Sequence, residues 1–498
     1  MWLFLLSAVF AYIFLQSIYR LYFHPLSHIP GPKLAAISYL PHFYHSVIRG
    51  GKFLWEIEKM HKQYGPTVRI NPREVHITDP SFYDEIYASG KRKRNKDRHL
   101  VAFNTSPLST PATMDHDLHR ARRSQMSHFF SKKAVLELNQ GIQAKVSLLV
   151  KFIERAHANN TIVPMSSAFA ALTGDIITHY LYGQDSQYMS SPDLSGNIIW
   201  DAIAEITNSS HVFEFFPIIP ILLRSLPARL MRVVQPKLAA VYDRQDQIEE
   251  QSKQTLAEKG YLSSAGTIYQ ALIHPDIPPE ERSLARLRDE SFIVLVGGTE
   301  TAGATLTFAA YHIIRNRSIY VKLQNELRGA MPTPTSFLDS SRLEQLPYLT
   351  GVINEALRLG APALRSARVA PFEALKYKDY VIPPNTPVST ISHFVHRNKE
   401  IFPDPETFNP DRWVLAAEKG ENLTKYLVTF TRGSRVCVGM NLACAELYLT
   451  IAALVRRFDL ELYDTPPENM GFAREMIVQR PEKGVWTLKV RVVRVVEE

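Results

Sequence analysis

Cys437 lies in the run Phe430-Thr-Arg-Gly433-Ser-Arg435-Val-Cys437-Val-Gly439, directly ahead of an apolar, helix-forming stretch. A thiolate stays deprotonated on a metal only where hydrogen-bond donors aim at the sulfur and the surroundings are positive. Glycines let backbone amides approach closely enough to be those donors. Arg435 supplies positive charge, so the run reads as a ligand loop for a metal-bound thiolate, against the alternative of a buried, unligated cysteine. A second group, Gly297-Gly298-Thr299-Glu300-Thr301, falls in a segment of helical apolar spacing that runs from a cap at Ser283 to about Asn316. Two adjacent glycines cost a helix about 1 kcal/mol each relative to alanine, which predicts a bulge or a close ligand approach, with helix packing as the other use. Glu355 and Arg358 stand at i and i+3, where they can pair on one helix face; the common outcome of such spacing is a surface salt bridge.

These groups need a large scaffold, and 498 residues with 45% hydrophobic content can bury one. No Gly/Ser or proline-rich linker interrupts the chain after residue 33 and no repeat is visible, so residues 34–498 read as one domain. Cys437 and Cys444 are the only cysteines, which excludes a disulfide framework and fits a reducing compartment. A net charge of +8 favours acidic partners or anionic membrane over nucleic acid. The densest basic run, Lys91-Arg-Lys-Arg-Asn-Lys-Asp-Arg98, lacks interleaved aromatics and reads as a solvated loop. Residues 1–19 are almost wholly apolar and as a helix span about 28 Å, enough for a transmembrane anchor. A cleavable signal peptide is the competitor, but no basic segment precedes the apolar run. Arg20 and Lys33 on its carboxyl side place the rest of the chain in the cytosol. Pro25 and Pro30-Gly31-Pro32 predict a stiff, extended hinge over residues 20–33. The proline-broken apolar stretch Val212 to Leu223 is too short to span a bilayer and reads either as a membrane-surface element or as a buried connector.

The pattern Phe-x-x-Gly-x-Arg-x-Cys-x-Gly, continued by Leu442-Ala-Cys-Ala-Glu446, resembles the signature of the cytochrome P450 family. Gly297-Gly-x-Glu300-Thr301 and Glu355-x-x-Arg358 resemble two further motifs of that family, in the family's order. The resemblance implies a mainly α fold, a single haem domain with a smaller β-rich lobe, in which Val68–Ile70 and Val75–Ile77 form the first hairpin. It implies haem b on the Cys437 thiolate, with Gly298, Phe430, Gly433, Arg435 and Gly439 against the cofactor. Thr301 and Glu300 would serve the proton delivery that oxygen activation consumes. Glu355, Arg358 and Arg412 would form a structural ion network behind the ligand loop. Arg123, with His119 four residues earlier where the family commonly has Trp, and Arg368 and Arg435 would meet the haem propionates.

Membership of this kind further implies O2 and an external electron source, since no dinucleotide-binding glycine fingerprint, flavin-like segment or iron–sulfur spacing occurs. The expected donor is an NADPH-cytochrome P450 reductase, with Lys425, Arg432 and Arg397 as docking cations. The expected site of action is the endoplasmic reticulum membrane, with one span and a cytosolic catalytic domain in contact with membrane lipid. Runs 22–32 and 70–79 resemble filamentous-fungal secondary-metabolism enzymes, most nearly the trichodiene-oxygenase-like group. A lipophilic terpenoid is therefore the expected substrate, ahead of a polyketide or alkaloid-like scaffold, and a haem-thiolate isomerase or dehydratase is the rival reaction. By the same resemblance Val101–Phe103, Phe292–Val296 and Ala361–Leu364 would line the distal pocket.

Overall fold

The computed structural model describes residues 1–498 apart from 103–104, 184–185, 192–193, 195–197, 258–265, 361–364 and 497–498. The functional groups rest on eight helices: α1 (Trp2–Ile18), α2 (His116–Ser124), α3 (Met165–Tyr182), α4 (Ile198–Phe215), α5 (Leu284–Arg315), α6 (Pro347–Gly360), α7 (Asp411–Glu418) and α8 (Met440–Arg457). The strands that matter are β1 (Thr67–Arg69), β2 (Val75–Ile77), β3 (Asn95–Lys96), β4 (Val163–Pro164), β5 (Arg368–Val369), β6 (Pro387–Ser389), β7 (Phe458–Leu462), β8 (Arg474–Met476), β9 (Val478–Arg480) and β10 (Lys489–Val495). The mainly helical class with a small β-rich part is as expected.

Helix α1 buries no residue and continues through a wider turn, Tyr19–Phe23, so that 22 residues from Trp2 to Phe23 are long and apolar enough to cross a membrane. His24, before Pro25, turns to extended backbone and ends the helix. The segment beyond it is a run of turns packed on the domain rather than the stiff, extended hinge that its prolines predict. Leu26 and Ile29 are buried in the core around β2. Arg69 of β1, itself buried, donates from its backbone N–H to the Pro30 carbonyl (2.8 Å) and from its guanidinium to the carbonyls of Arg20 (2.8 Å) and Pro72 (2.9 Å). The prolines shape a segment that is clamped to the domain, because a buried guanidinium must find acceptors and the nearest free ones are this segment's carbonyls.

The expected first hairpin is present, with Val68 opposite His76, in a sheet of order β1-β2-β6-β5-β3. β2 and β6 run parallel, and the remaining pairs are antiparallel. The basic run Lys91–Arg98 departs from its solvated-loop reading. It contains β3, it buries Arg94 against Glu373 (2.5 Å) and the Glu85 carbonyl (2.9 Å), and it sets Lys96 opposite Arg368 in the ladder. A second sheet, β4-β10-β7, and the hairpin β8–β9 complete the β-rich part used here.

Helix α5 is the axis of the helical core and packs against α3, α4, α6 and α8. Ser283 caps it, accepting from the Arg286 N–H, and the helix stops at Asn316, whose side chain caps the next one. It is apolar enough to span a bilayer, yet it is largely enclosed and serves as core. No bulge marks Gly297-Gly298. A Cβ on Gly298 would lie 2.6 Å from Ile177 of α3, so the absent side chain is explained by close helix packing. Asp289 and Glu290 are buried and hold the loop before α2 through the N–H groups of Leu108 (3.0 Å) and Thr110 (2.7 Å).

Glu355 of α6 is fully buried and accepts Arg358 Nε (2.9 Å) and Nη2 (2.7 Å), the Asn409 N–H (2.9 Å), Arg412 Nε (3.1 Å) and Trp413 Nε1 (2.9 Å). Arg358 also donates to the carbonyls of His396 and Pro405 (2.7 Å each). The His396 ring accepts the Val428 N–H (2.9 Å), and the Thr429 hydroxyl donates to the Leu357 carbonyl (2.8 Å). The pair thus leads, bond by bond, to the residue before Phe430. Replacing Glu355 with alanine strands two guanidiniums, at a cost of about 3–5 kcal/mol. The loss is readable as a shifted urea midpoint of the full chain in detergent, with Trp413 fluorescence as probe, and an unshifted midpoint would remove the network from the scaffold.

Candidate active site

The ligand loop is built by sterics before chemistry. Gly433 has φ +75°, and a Cβ there would sit 2.1 Å from the Tyr87 carbonyl oxygen and 2.3 Å from that of Ala88, so only glycine fits. Ser434 N–H then donates to Ala88 O (3.2 Å), and Cys437 N–H closes the loop on Phe430 O (2.9 Å). Gly439 is different. It lies at the start of α8 with φ −83°, no atom crowds it, and its N–H points at the thiol. Cys437 is exposed to a cleft yet surrounded by protein. Burial raises its thiol above the ordinary value, and the Gly439 N–H and Arg123 act in the opposite sense. A metal cation beside the sulfur reverses that balance and takes the thiolate. Cys444, further into α8, is pushed up to about 12 by burial and stays a thiol.

Around the thiol converge cations that no carboxylate answers among the described residues. Arg123 of α2 donates to the Val436 carbonyl (2.5 Å), beside Cys437. Arg435 donates to the carbonyls of Arg94 (3.1 Å), Thr113 (2.7 Å), Met114 (2.7 Å) and Asp115 (3.0 Å). Arg368 donates to the Ser366 hydroxyl (2.7 Å) and lies 5.1 Å above the Tyr87 ring. Burial, then Arg368, pushes Arg435 down to about 9. Burial, then Arg435, Arg123, Lys96 and Arg368, pushes His119 down to about 3, so its ring is neutral and serves as a hydrogen-bonding partner only.

The fold brings His119, Arg123, Arg368 and Arg435 together, and it adds Lys96. Its Nζ donates to Pro111 O (2.6 Å), and burial, then Arg368 and Arg435, pulls it down to about 7. Within a charge run, Lys96 carries no signal; only its register opposite Arg368 places it here. Cations that are buried or half-buried with only carbonyls and a hydroxyl as partners are costly unless an anion joins them. A dianionic group beside the thiol, as haem with two propionates is, fits this donor set.

On α5, Thr301 is half-buried and its hydroxyl donates to the carbonyl of exposed Gly297 (2.8 Å). Glu300 turns elsewhere. It is buried, paired with Arg480 of β9, and accepts from the Thr207 hydroxyl of α4 (3.4 Å). Neither partner is visible in the sequence, where each stands far from Glu300 in unremarkable surroundings. Phe292, expected to line a pocket, is packed into the core between α4 and its neighbours. Residues 361–364 and 103 lie outside the described residues. Among the docking cations Lys425 is exposed, Arg432 is paired with Asp84 (2.9 Å), and Arg397 is largely buried with Glu406 (3.0 Å), which takes it out of the set.

This geometry sets two expectations. Cys437→Ser abolishes the thiolate-type spectrum of the reduced carbon monoxide complex, and a retained spectrum would reject Cys437 as ligand. Lys96→Met removes one charge-assisted contact of about 1.5–3 kcal/mol and speeds haem transfer to apomyoglobin by about tenfold or more, whereas Lys96→Arg does not; an unchanged transfer rate would place Lys96 outside the cofactor site.

Comparison with known proteins agrees with the site. A family model described as Cytochrome P450 matches residues 30–488. The chain is 42% identical over 474 residues to the cytochrome P450 monooxygenase TRI4 of Trichoderma arundinaceum, covering 95% of this chain and 92% of that protein. It is 42% identical to conidiogenone synthase PchP450 of Penicillium rubens, covering 98% of each, and 40% identical to the cytochrome P450 monooxygenase aflU of Aspergillus parasiticus, covering 96% and 95%. Likeness over essentially the whole length, joined to a loop that can hold a metal-bound thiolate among unanswered cations, leaves one conclusion: the chain belongs to the cytochrome P450 family of haem-thiolate monooxygenases.

Proposed function

We propose that this enzyme inserts one oxygen atom from O2 into a C–H bond of a terpenoid of secondary metabolism. The observation that carries the reading is the Cys437 thiol, presented at the start of α8 beside a cluster of cations without carboxylate partners among the described residues. Haem bound there supplies the oxidant, one oxygen atom going to the substrate and the other to water with two electrons and two protons. The chain does the rest. Cys437 holds the iron, the Gly439 N–H steadies the sulfur, and Arg123, Arg368, Arg435, Lys96 and His119 hold the propionates. Thr301 passes protons through its hydroxyl, and Glu300 supplies them. Phe430 and Gly433 fix the loop that presents the thiolate. Gly298 acts through helix packing.

Electrons come, in this reading, from a membrane-bound NADPH-cytochrome P450 reductase docking at exposed Lys425. The division into an anchor (1–19), a linking segment (20–33) and a catalytic domain (34–498) suits the endoplasmic reticulum membrane, with the domain cytosolic. A second feature supports that orientation. Phe216, Ile218, Ile221 and Leu222 after α4 are exposed, as are Leu40, Tyr44 and Ile48, and ring contacts of Phe43 with Phe215 (5.2 Å) and Phe216 (5.9 Å) join the two groups into one apolar patch. A terpenoid rests on likeness to fungal enzymes of secondary metabolism such as conidiogenone synthase; a polyketide or alkaloid-like scaffold is the second choice.

Turnover of pooled terpene and polyketide scaffolds under isotopically labelled O2, with reductase and NADPH, is expected to give a terpene product carrying one labelled oxygen. An unlabelled, rearranged product would overturn monooxygenation in favour of an isomerase or dehydratase, and a labelled polyketide would overturn the substrate class alone.

A further inference from the structure

Glu300 and Thr301 are neighbours in sequence that face different partners. The Thr301 hydroxyl closes on its own helix, while the Glu300 carboxylate is held by Arg480, and Arg480 Nη2 also donates to the Thr207 hydroxyl (2.8 Å). Arg480 is buried, and its Nε has no partner among the described residues. Thr207 begins a stripe on α4 at i, i+4 and i+7. His211 Nε2–H donates to the Glu475 carbonyl (2.7 Å), and the ring lies 3.4–3.6 Å from the carboxylates of Glu475 and Glu214, which push it up to about 10 against the effect of burial. Glu214 accepts from Arg365 (3.0 Å), and Arg365 also pairs with Glu74. Helix α4 therefore meets hairpin β8–β9, α5 and the segment from Arg365 through buried polar and charged groups.

The far end of the stripe borders a cavity of about 230 Å³, lined by Tyr39, His42, Arg73, Glu214, Phe215 and Arg365. Among the described residues, buried His42 leaves its Nδ1 without a partner there, as Arg73 leaves an Nη1. The cavity adjoins the apolar patch through His42 and Phe43, which contact Phe215. A molecule entering from lipid would meet the Glu214–Arg365 pair first. A buried ion pair is either made or broken, with little between, because the broken state strands a charge. Displacement at the carboxyl end of α4 is then passed along the helix to Thr207 at its middle.

We infer that Arg480 and Thr207 are positioning residues that latch the Glu300 carboxylate away from Thr301, and that a ligand seated beneath α4 releases it. The inference rests on the reading of Glu300 as proton carrier. Its consequence is that proton delivery through Glu300 waits for substrate, while the two protons of released peroxide come from solvent water. Two electrons and two protons turn O2 into hydrogen peroxide, and four of each turn it into two waters, the electrons arriving in pairs from NADPH through the reductase. Without substrate the latched enzyme should therefore use about one NADPH per O2 and release peroxide.

The test is the ratio of NADPH to O2 consumed by the full-length, haem-loaded enzyme with reductase and no substrate, together with infrared spectra of the same proteins. Arg480→Met is expected to raise the ratio towards two and to produce a protonated-carboxyl band. Arg480→Lys keeps the wild-type values, and adding Glu300→Gln to Arg480→Met abolishes both changes. Should Arg480→Met fail to hold haem, Thr207→Val, which leaves the ion pair but loosens it from α4, is expected to move both readouts the same way. A ratio that stays at one or falls, with no carboxyl band, overturns the latch and leaves the role of Glu300 standing. A raised ratio that survives Glu300→Gln overturns that role as well, and a wild-type ratio already near two overturns the latch directly.

Discussion

The structure depends first on one buried carboxylate. Glu355 has no exposed surface and satisfies donors from α6, from the segment before α7 and from α7 itself. A charge in such a place is tolerable only because every lone pair is taken, and the same saturation fixes the relative positions of the groups that take them. Through Arg358 and His396 the constraint reaches Val428, and from there the loop of Cys437. The ion network therefore acts at a distance on the metal site, by leaving the loop no alternative course.

Within that frame the cofactor site is a deliberate imbalance. Arg123, Arg368, Arg435 and Lys96 are gathered around the thiol with carbonyls and a hydroxyl as their partners. Carbonyl dipoles offset part of the desolvation of a guanidinium but not its charge, so the cluster is complete only with anions among it. The loop at Pro111–Asp115 supplies several of these carbonyls, and Asp289 and Glu290 of α5 hold the N–H groups of Leu108 and Thr110 just before it. The cation cluster and helix packing are thereby linked through charged groups.

The distal side uses ions differently. Helix α4 shares an apolar cluster with α5 through Ala202, Ile206 and Phe292, as α3 packs on α5 through Ile177 and Gly298. Beside it Thr207, His211 and Glu214 present polar groups. Apolar faces tolerate small slides, whereas paired charges resist displacement until they break.

The sequence by itself determined what is written in short range. The cysteine loop, the Gly-Gly-x-Glu-Thr group, the cap at Ser283, the Glu355–Arg358 pair, the first hairpin and the apolar amino-terminal helix are each set by turn sterics, helical spacing or local hydropathy within about ten residues, and all are present. Where the reading stopped at composition it went astray: Lys91–Arg98 became strand and buried ion pairs, and the prolines of residues 20–33 became a segment clamped by Arg69. Only the tertiary structure decided that Gly298 serves Ile177, that Lys96 joins Arg368 and Arg435, and that Arg480 and Thr207 hold Glu300. Buried charges choose partners by geometry across the fold, and a pairing between residues so far apart leaves no periodicity or spacing for a linear reading to find.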